Sequence, residues 1–212
     1  MSGYFITNML FDDTYKTIAG PTEGIFRDRG SKFLAFAYPV TSDNEIKAIV
    51  GNLKLLHPKA NHHCWAIRLG IDRSVFRVND DGEPSGTAGR PILNTLLSKD
   101  ITNVLVVVVR YFGGTLLGVP GLINAYKLAT EAALAEAQVI EKTVNDIYTL
   151  TFDYIQMNDV MRIIKDDQLH VLAQRSELNC NIQFAVRKTH VEQVMSKLNK
   201  FTGVKVAYNY SG

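Results

Sequence analysis

Residues 104–114 read Val-Leu-Val-Val-Val-Val-Arg-Tyr-Phe-Gly-Gly. Six consecutive apolar residues leave no side chain for water, so Val104 to Val109 predicts a central strand covered on both faces. The chemistry changes abruptly at Arg110-Tyr111-Phe112-Gly113-Gly114, where a cation and two aromatic rings lead into a narrow glycine turn. A long helix is expected from about Pro120 to Ala137. Its many Ala residues favour helix and close approach to a sheet, with Leu122, Tyr126 and Ala129 on the packed side. Pro120 suits the first helical turn, where its missing N–H is no loss.

Upstream, Thr14 to Ile18 gives a weak strand signal, and Gly24 to Arg27 and Phe33 to Tyr38 alternate as strands. The Asp28-Arg29-Gly30-Ser31 segment between them reads as a hairpin turn, and Pro39 ends the second strand. Ser42 and Glu45 form a capping-box pattern ahead of Ile46, Ile49, Val50, Leu53 and Leu56, which recur at helical spacing until Pro58. Two further strands are expected at His63 to Leu69 and Ser74 to Val78, joined by Gly70-Ile71-Asp72-Arg73. Asn79 to Arg90 is a loop, and a helix begins near Pro91.

A domain boundary is expected near Ile140 to Lys142, dividing the chain into residues 1–139 and 140–212. Beyond it come a strand at Thr143 to Phe152, a helix at Ile155 to Lys165 and strands at Gln168 to Gln174 and Asn181 to Arg187. A capping box at Thr189 and Glu192 then opens a helix whose face is Val191, Val194, Met195 and Leu198, and Val204 to Tyr208 closes the pattern. The β-α-β-β-α-β order predicts a small ferredoxin-like α+β module.

The 212 residues are 46% apolar and 21% charged, which excludes global disorder, and two Cys cannot staple a chain of this length. Cut at residue 140, the two parts carry 14 basic against 13 acidic residues and 9 against 8, so neither is a polybasic nucleic-acid arm. No apolar run reaches 18 residues, so no membrane span is expected. The first sixteen residues have neither a basic start nor a continuous apolar core, which predicts a cytoplasmic protein with reduced Cys64 and Cys180.

Two loops and one strand carry candidate chemistry. In an extended His62-His63-Cys64-Trp65, His62 and Cys64 share one face. Imidazole and thiol suit zinc or covalent catalysis, but two residues complete neither site. The competing expectation is a hydrogen-bonding His62 and a Cys64 packed as a small apolar residue. Asp80-Asp81-Gly82-Glu83-Pro84-Ser85-Gly86-Thr87-Ala88-Gly89 offers acids for a cation or a water and glycines for sharp turns. It lacks calcium-loop spacing and the Lys-Ser/Thr ending of a phosphate loop, so an internally buttressed loop is the equal alternative. Ser85, Thr87 and the N–H groups of Gly86 to Gly89 form a candidate anion site at a helix N-terminus, with Arg90 and Arg110 as planar donors or as salt-bridge partners of Asp81 and Glu83. Phe112 and Tyr111 are candidates for base stacking or for core packing.

Taken in order, Ala60-Asn61-His62-His63-Cys64-Trp65-Ala66, the 80–89 loop, Arg110 to Gly114, and Leu117-Gly118-Val119-Pro120-Gly121-Leu122-Ile123-Asn124-Ala125-Tyr126 resemble the YigZ/IMPACT family. The resemblance runs through most of residues 20–135, and the tail resembles the C-terminal module of bacterial members. It implies a first domain like ribosomal protein S5 domain 2 and a second like the C-terminal modules of elongation factor G, both pointing toward ribosomes or RNA. Eukaryotic members are tied by the same resemblance to translational stress signalling. It carries a shared pocket onto His62, Cys64, Asp80, Asp81, Glu83, Thr87, Arg110, Gly113, Gly114 and Tyr126, to which Arg90 is added here. Pro120 stands where the family commonly has Gly, and Asn124 where it commonly has Arg, which removes one phosphate-binding charge.

Three functions compete. The first is a translation-associated protein binding RNA or the ribosome, with Lys32, Lys59, Arg90, Arg110 and Lys127 available. The second is an enzyme or sensor for a small phosphorylated metabolite, with the two Arg on phosphate, Asp80, Asp81 or Glu83 holding a cation or base, and His62 moving a proton. The third is a scaffold whose polar loops secure their own turns. The sequence assigns no catalytic residue, cofactor, metal or oligomeric state.

Overall fold

In chain order the elements of the first unit are β1 (Thr14–Ile18), β2 (Thr22–Asp28), β3 (Ser31–Pro39), α1 (Asp43–Leu56), β4 (His62–Leu69), β5 (Val75–Asn79), α2 (Gly89–Ser98), β6 (Val104–Tyr111), α3 (Gly118–Ala135) and β7 (Val139–Thr143). The computed structural model describes residues 13–70, 73–176 and 179–212. Ile71 and Asp72 of the β4–β5 connection, and the first twelve residues on which the targeting expectation largely rests, lie outside them. The protein is mixed α/β and folds as two units, Tyr15–Lys142 and 143–212, the latter joined by Asp13 and Thr14.

The Val run is the middle strand of a five-stranded sheet ordered β2-β3-β6-β4-β5, antiparallel throughout. Its side chains alternate between two cores. Val104, Val106 and Val108 pack with Phe33, Ala35, Cys64 and Ala66 under α2 and α3, while Leu105, Val107 and Val109 pack with Phe36, Ile67 and the Ile46 and Leu53 of α1. Helices on both faces explain why the strand has no polar alternation. At Gly24 a Cβ would lie 2.2 Å from the Ala133 backbone nitrogen, so only glycine lets α3 settle onto β2.

Local signals account for most boundaries. The capping box at Ser42 and Glu45 is formed, and α1 stops two residues before Pro58. Arg29 and Gly30, at φ 44° and 79°, make the tight β2–β3 turn. Helix α2 starts at Gly89, two residues before Pro91, where the Asp80 carboxylate accepts the Ala88 and Gly89 N–H groups. The two units divide after Lys142, and Ile140 to Lys142 lies within β7, which pairs with β1.

The second unit contains β8 (Asn145–Phe152), α4 (Met157–Asp166), β9 (His170–Ser176), β10 (Cys180–Arg187), α5 (Val191–Leu198) and β11 (Lys205–Ser211). Its sheet runs β11-β8-β10-β9, with antiparallel neighbours. Leu150, Phe152, Ile182 and Phe184 form one buried face against Val160, Ile164, Val194 and Leu198 of the helices. Cys180 is buried in this core. The capping box expected at Thr189 and Glu192 is absent. Thr189 sits in a 3-10 turn, and its hydroxyl donates to Asp13, which Arg187 also binds. Those hydrogen bonds, Arg187 foremost, hold the Asp13 carboxyl down at about 2.

Candidate functional site

Register builds the site. In β4–β6 pairing His62 lies opposite Arg110, and in β3–β6 pairing Phe33 lies opposite Arg110. Directly paired residues project to one face, so imidazole, guanidinium and phenyl meet at one end of the sheet, on the side covered by α2 and α3. Cys64, paired with Val108, is one step further along the same face. Glu83 enters from the β5–α2 loop, and α3 brings Tyr126 from above.

Glu83 is the hub. Its Oε1 accepts hydrogen bonds from Arg110 Nη1 at 2.6 Å and Tyr126 Oη at 2.8 Å, and His62 Nε2 stands 3.9 Å away. The Glu83 and Arg110 side chains are only 3% and 7% exposed, so the ion pair is a buried one. The guanidinium carbon lies 5.4 Å from the Phe33 ring centre and 5.7 Å from that of Phe112, giving the charge two aromatic faces. His62 Nδ1 sits 2.8 Å from the Asp81 carbonyl. A carbonyl only accepts, so Nδ1 carries a proton toward Asp81 while Nε2 faces the Glu83 carboxylate.

Cys64 is fully buried, with Sγ 2.9 Å from the Asp80 carbonyl and 3.2 Å from Tyr126 Oη. Burial pushes its thiol up, against the opposing effect of its hydrogen bond with Tyr126, and burial likewise raises Tyr126. Both stay protonated at neutral pH, so Cys64 presents no thiolate nucleophile. Among the described residues no group of three or more His, Cys, Asp or Glu is arranged to hold a metal.

The two neighbouring aspartates do different work. Asp80 accepts N–H bonds from Gly86 at 2.9 Å, Ala88 at 3.1 Å and Gly89 at 2.8 Å. It fills the anion site expected for phosphate and serves as the long-range cap of α2. Thr87 is inward too, its hydroxyl donating to the Pro84 carbonyl at 2.6 Å. Asp81, at φ 44°, turns its carboxylate to the His63 N–H at 2.6 Å and Lys54 Nζ at 3.1 Å. Burial works to raise the Asp81 pKa, but the His63 N–H and Lys54 hold it below the usual range. Asp81 thus supports His62 through its carbonyl, while its carboxylate faces α1 rather than Arg110.

Gly113 is fixed by crowding: a Cβ there would lie 1.9 Å from the Gly30 carbonyl carbon. Its N–H donates to Ser31 Oγ at 3.1 Å, and Gly114 follows at φ 85°. Together they tie the 110–118 loop to the β2–β3 turn. The loop walls a cavity of about 450 Å³. Asn61, His62, Glu83 and Arg110 supply its polar lining, and Pro84, Phe112, Leu116, Leu117, Val119 and Leu122 its apolar lining. Arg90 is elsewhere. It lines a second cavity of about 420 Å³ between α2 and α3, with Asn94, Ser98, Ile123, Lys127 and Glu131. The two arginines expected to share one phosphate therefore occupy separate cavities. Missed in the sequence were Phe33, Asn94 and the apolar wall at Leu116 and Val119. Only the Phe33–Arg110 register could have pointed to Phe33.

His63 gives a pH prediction. Burial, aided by Lys54 and His57, depresses its pKa below 6.5 against the pull of Asp81, and its Nε2 is buried without a partner. The unfolded chain then binds a proton that the folded one refuses. Stability is full above 6.5 and falls as pH drops from 6.5 toward the depressed value, by at most about 1.4 kcal/mol per pH unit. Urea unfolding followed by Trp65 fluorescence should show this slope, and His63→Leu should flatten it. An unchanged slope in that variant places its source elsewhere.

Residues 29–134 match the family model described as the Impact N-terminal domain. The chain is 32% identical over 172 residues to an IMPACT family member of Haemophilus influenzae, covering 80% of this chain and 84% of that one. It is 30% identical over 186 residues to the IMPACT family member YigZ of Escherichia coli, covering 87% and 91%. A crystal structure of a hypothetical protein superposes with a TM-score of 0.72 at 28% identity, over 93% of this chain and 98% of the other. Among the described residues no helix is long and apolar enough to cross a membrane.

Proposed function

Because the chain belongs to the IMPACT family, we propose that it is a translation-associated protein that binds single-stranded RNA, including RNA exposed on the ribosome. One observation favours binding over turnover of a phosphorylated metabolite. The acids, thiol and N–H groups that turnover would recruit are already satisfied internally: Asp80 by α2, Asp81 by Lys54, Glu83 by Arg110 and Tyr126. By contrast, Arg90 and Lys127 line an open groove between two helices. Lys127 lies 3.8 Å from Glu131, an exposed pair that screens little, and both cations are reachable by a phosphate backbone.

We assign the first unit to the ribosomal protein S5 domain 2 type and the second to the ferredoxin-like, elongation factor G C-terminal type. The second assignment is supported by the β8-α4-β9-β10-α5-β11 sequence and the β11-β8-β10-β9 order. A cytoplasmic location agrees with this role.

Binding of the full chain to fluorescent single-stranded RNA and to ribosomal subunits, followed across a salt series, tests the proposal. The affinity should fall as salt rises, and Arg90→Glu with Lys127→Glu should weaken binding at least tenfold and flatten the salt dependence by about two phosphate contacts. These side chains are on the surface, so the fold should survive. No association at low salt, or association indifferent to both substitutions, refutes RNA binding through this groove.

A further inference from the structure

We propose that the cavity beside Glu83 and Arg110 seats a neutral planar heteroaromatic ring of the nucleobase class. The assignment of that ring to a base of bound RNA rests on the RNA-binding function proposed above; the cavity's chemistry does not.

Charge excludes the ligand first expected. The Arg110 guanidinium, 2.6 Å from Glu83, is neutralised within a buried pair, so a phosphate entering here would meet no net positive charge. To take Arg110 it would have to displace Glu83 and strand that carboxylate. The neighbouring backbone nest, at Gly86 to Gly89, is filled by Asp80. A cation fares no better, because Glu83 already accepts from Arg110 and Tyr126.

What remains is a neutral ligand with a hydrophobic body and a polar edge. The volume of about 450 Å³ is of small-molecule size. Its mouth holds large apolar groups in water: Leu116 is 82% exposed, Val119 52% and Phe112 45%. The Arg110 guanidinium carbon lies over the Phe112 ring, 5.7 Å from its centre, which leaves the other face of the ring to the cavity's occupant. The polar lining of the floor offers both hydrogen-bonding senses through the Asn61 side-chain amide beside His62, with the Arg110 edge as a further donor. A purely aliphatic occupant would desolvate these polar groups without replacing their bonds. A base has π-faces for the walls and adjacent donors and acceptors for the floor.

The position agrees as well. Pro84 lines this cavity and Gly86 the Arg90 groove, while Leu122 and Ile123 of α3 face one each. The two sites therefore flank the same loop along the same helix, a base site beside a backbone site.

Calorimetric titration of the full chain with adenosine, guanosine, cytidine and uridine, against ribose 5-phosphate and inorganic phosphate, tests the inference. At least one nucleoside should bind, and the two phosphates should not compete with it for its site. Phe112→Ala should weaken nucleoside binding about tenfold or more, and Phe112→Tyr should restore it. Arg90→Glu with Lys127→Glu should leave nucleoside binding unchanged while weakening RNA. Silence from all four nucleosides, as expected if the apolar mouth instead docks a protein, overturns the inference; so does binding indifferent to Phe112→Ala. RNA binding that survives in Phe112→Ala without loss would also sink it, yet leave the Arg90 groove standing. Nucleoside binding without RNA binding would do the reverse.

Discussion

Glu83→Ala is expected to destabilise the first unit by about 3–5 kcal/mol, the range for stranding one member of a buried ion pair. Arg110 would keep its charge at 5% exposure, with its Nε already lacking a partner and its Nη1 newly without one. The Tyr126 hydroxyl would lose its acceptor in the same step. Denaturant unfolding reads the loss as a lowered midpoint at unchanged slope. Glu83→Leu combined with Arg110→Met should recover most of it, because an apolar pair removes the charge instead of abandoning it. Those two results together separate a structural pair from a ligand-holding one. A cost below about 1 kcal/mol for Glu83→Ala would mean that water reaches Arg110, contrary to the enclosure described here.

The sheet was legible because its signals are local. Six apolar residues in β6 can only be a doubly covered strand, and Ser42 with Glu45 closes a box within four positions. Long-range contacts were not legible. Thr189 and Glu192 have the same spacing as Ser42 and Glu45, yet Asp13, more than 170 positions away, takes the Thr189 hydroxyl. Asp80 caps α2 across six to nine positions, which moves the helix start back to Gly89. The candidate site shows the same limit. Glu83 and Arg110 were recognisable as polar groups at unusual loops, His62 as a polar residue of an extended segment, and Tyr126 as a site residue through the family resemblance alone. Their convergence depends on strand register, which aligns His62 and Phe33 with Arg110 and is not visible in composition. Nor could the sequence tell Asp80 from Asp81, since adjacent side chains in a loop are sent apart by backbone turns such as the positive φ at Asp81.

Asp80→Ala should be the second most damaging change, because among the described residues its carboxylate is the acceptor for two buried N–H groups, those of Ala88 and Gly89. Each orphaned donor is worth about 1–3 kcal/mol, while the bond from exposed Gly86 can pass to water. Asp80→Asn should lose less, keeping an acceptor oxygen but not its charge at the start of α2. Hydrogen exchange should locate the damage at the Ala88 and Gly89 amides, with β6 protected as before. The variant also decides between a cap and a vacated ligand site. With Asp80 gone, the nest of N–H groups becomes a free anion site, so sulfate or phosphate should stabilise Asp80→Ala well beyond any effect on the unaltered protein. Equal stabilisation of both proteins would mean that phosphate already competes for this loop, and the assignment of Asp80 as its permanent occupant would have to be abandoned.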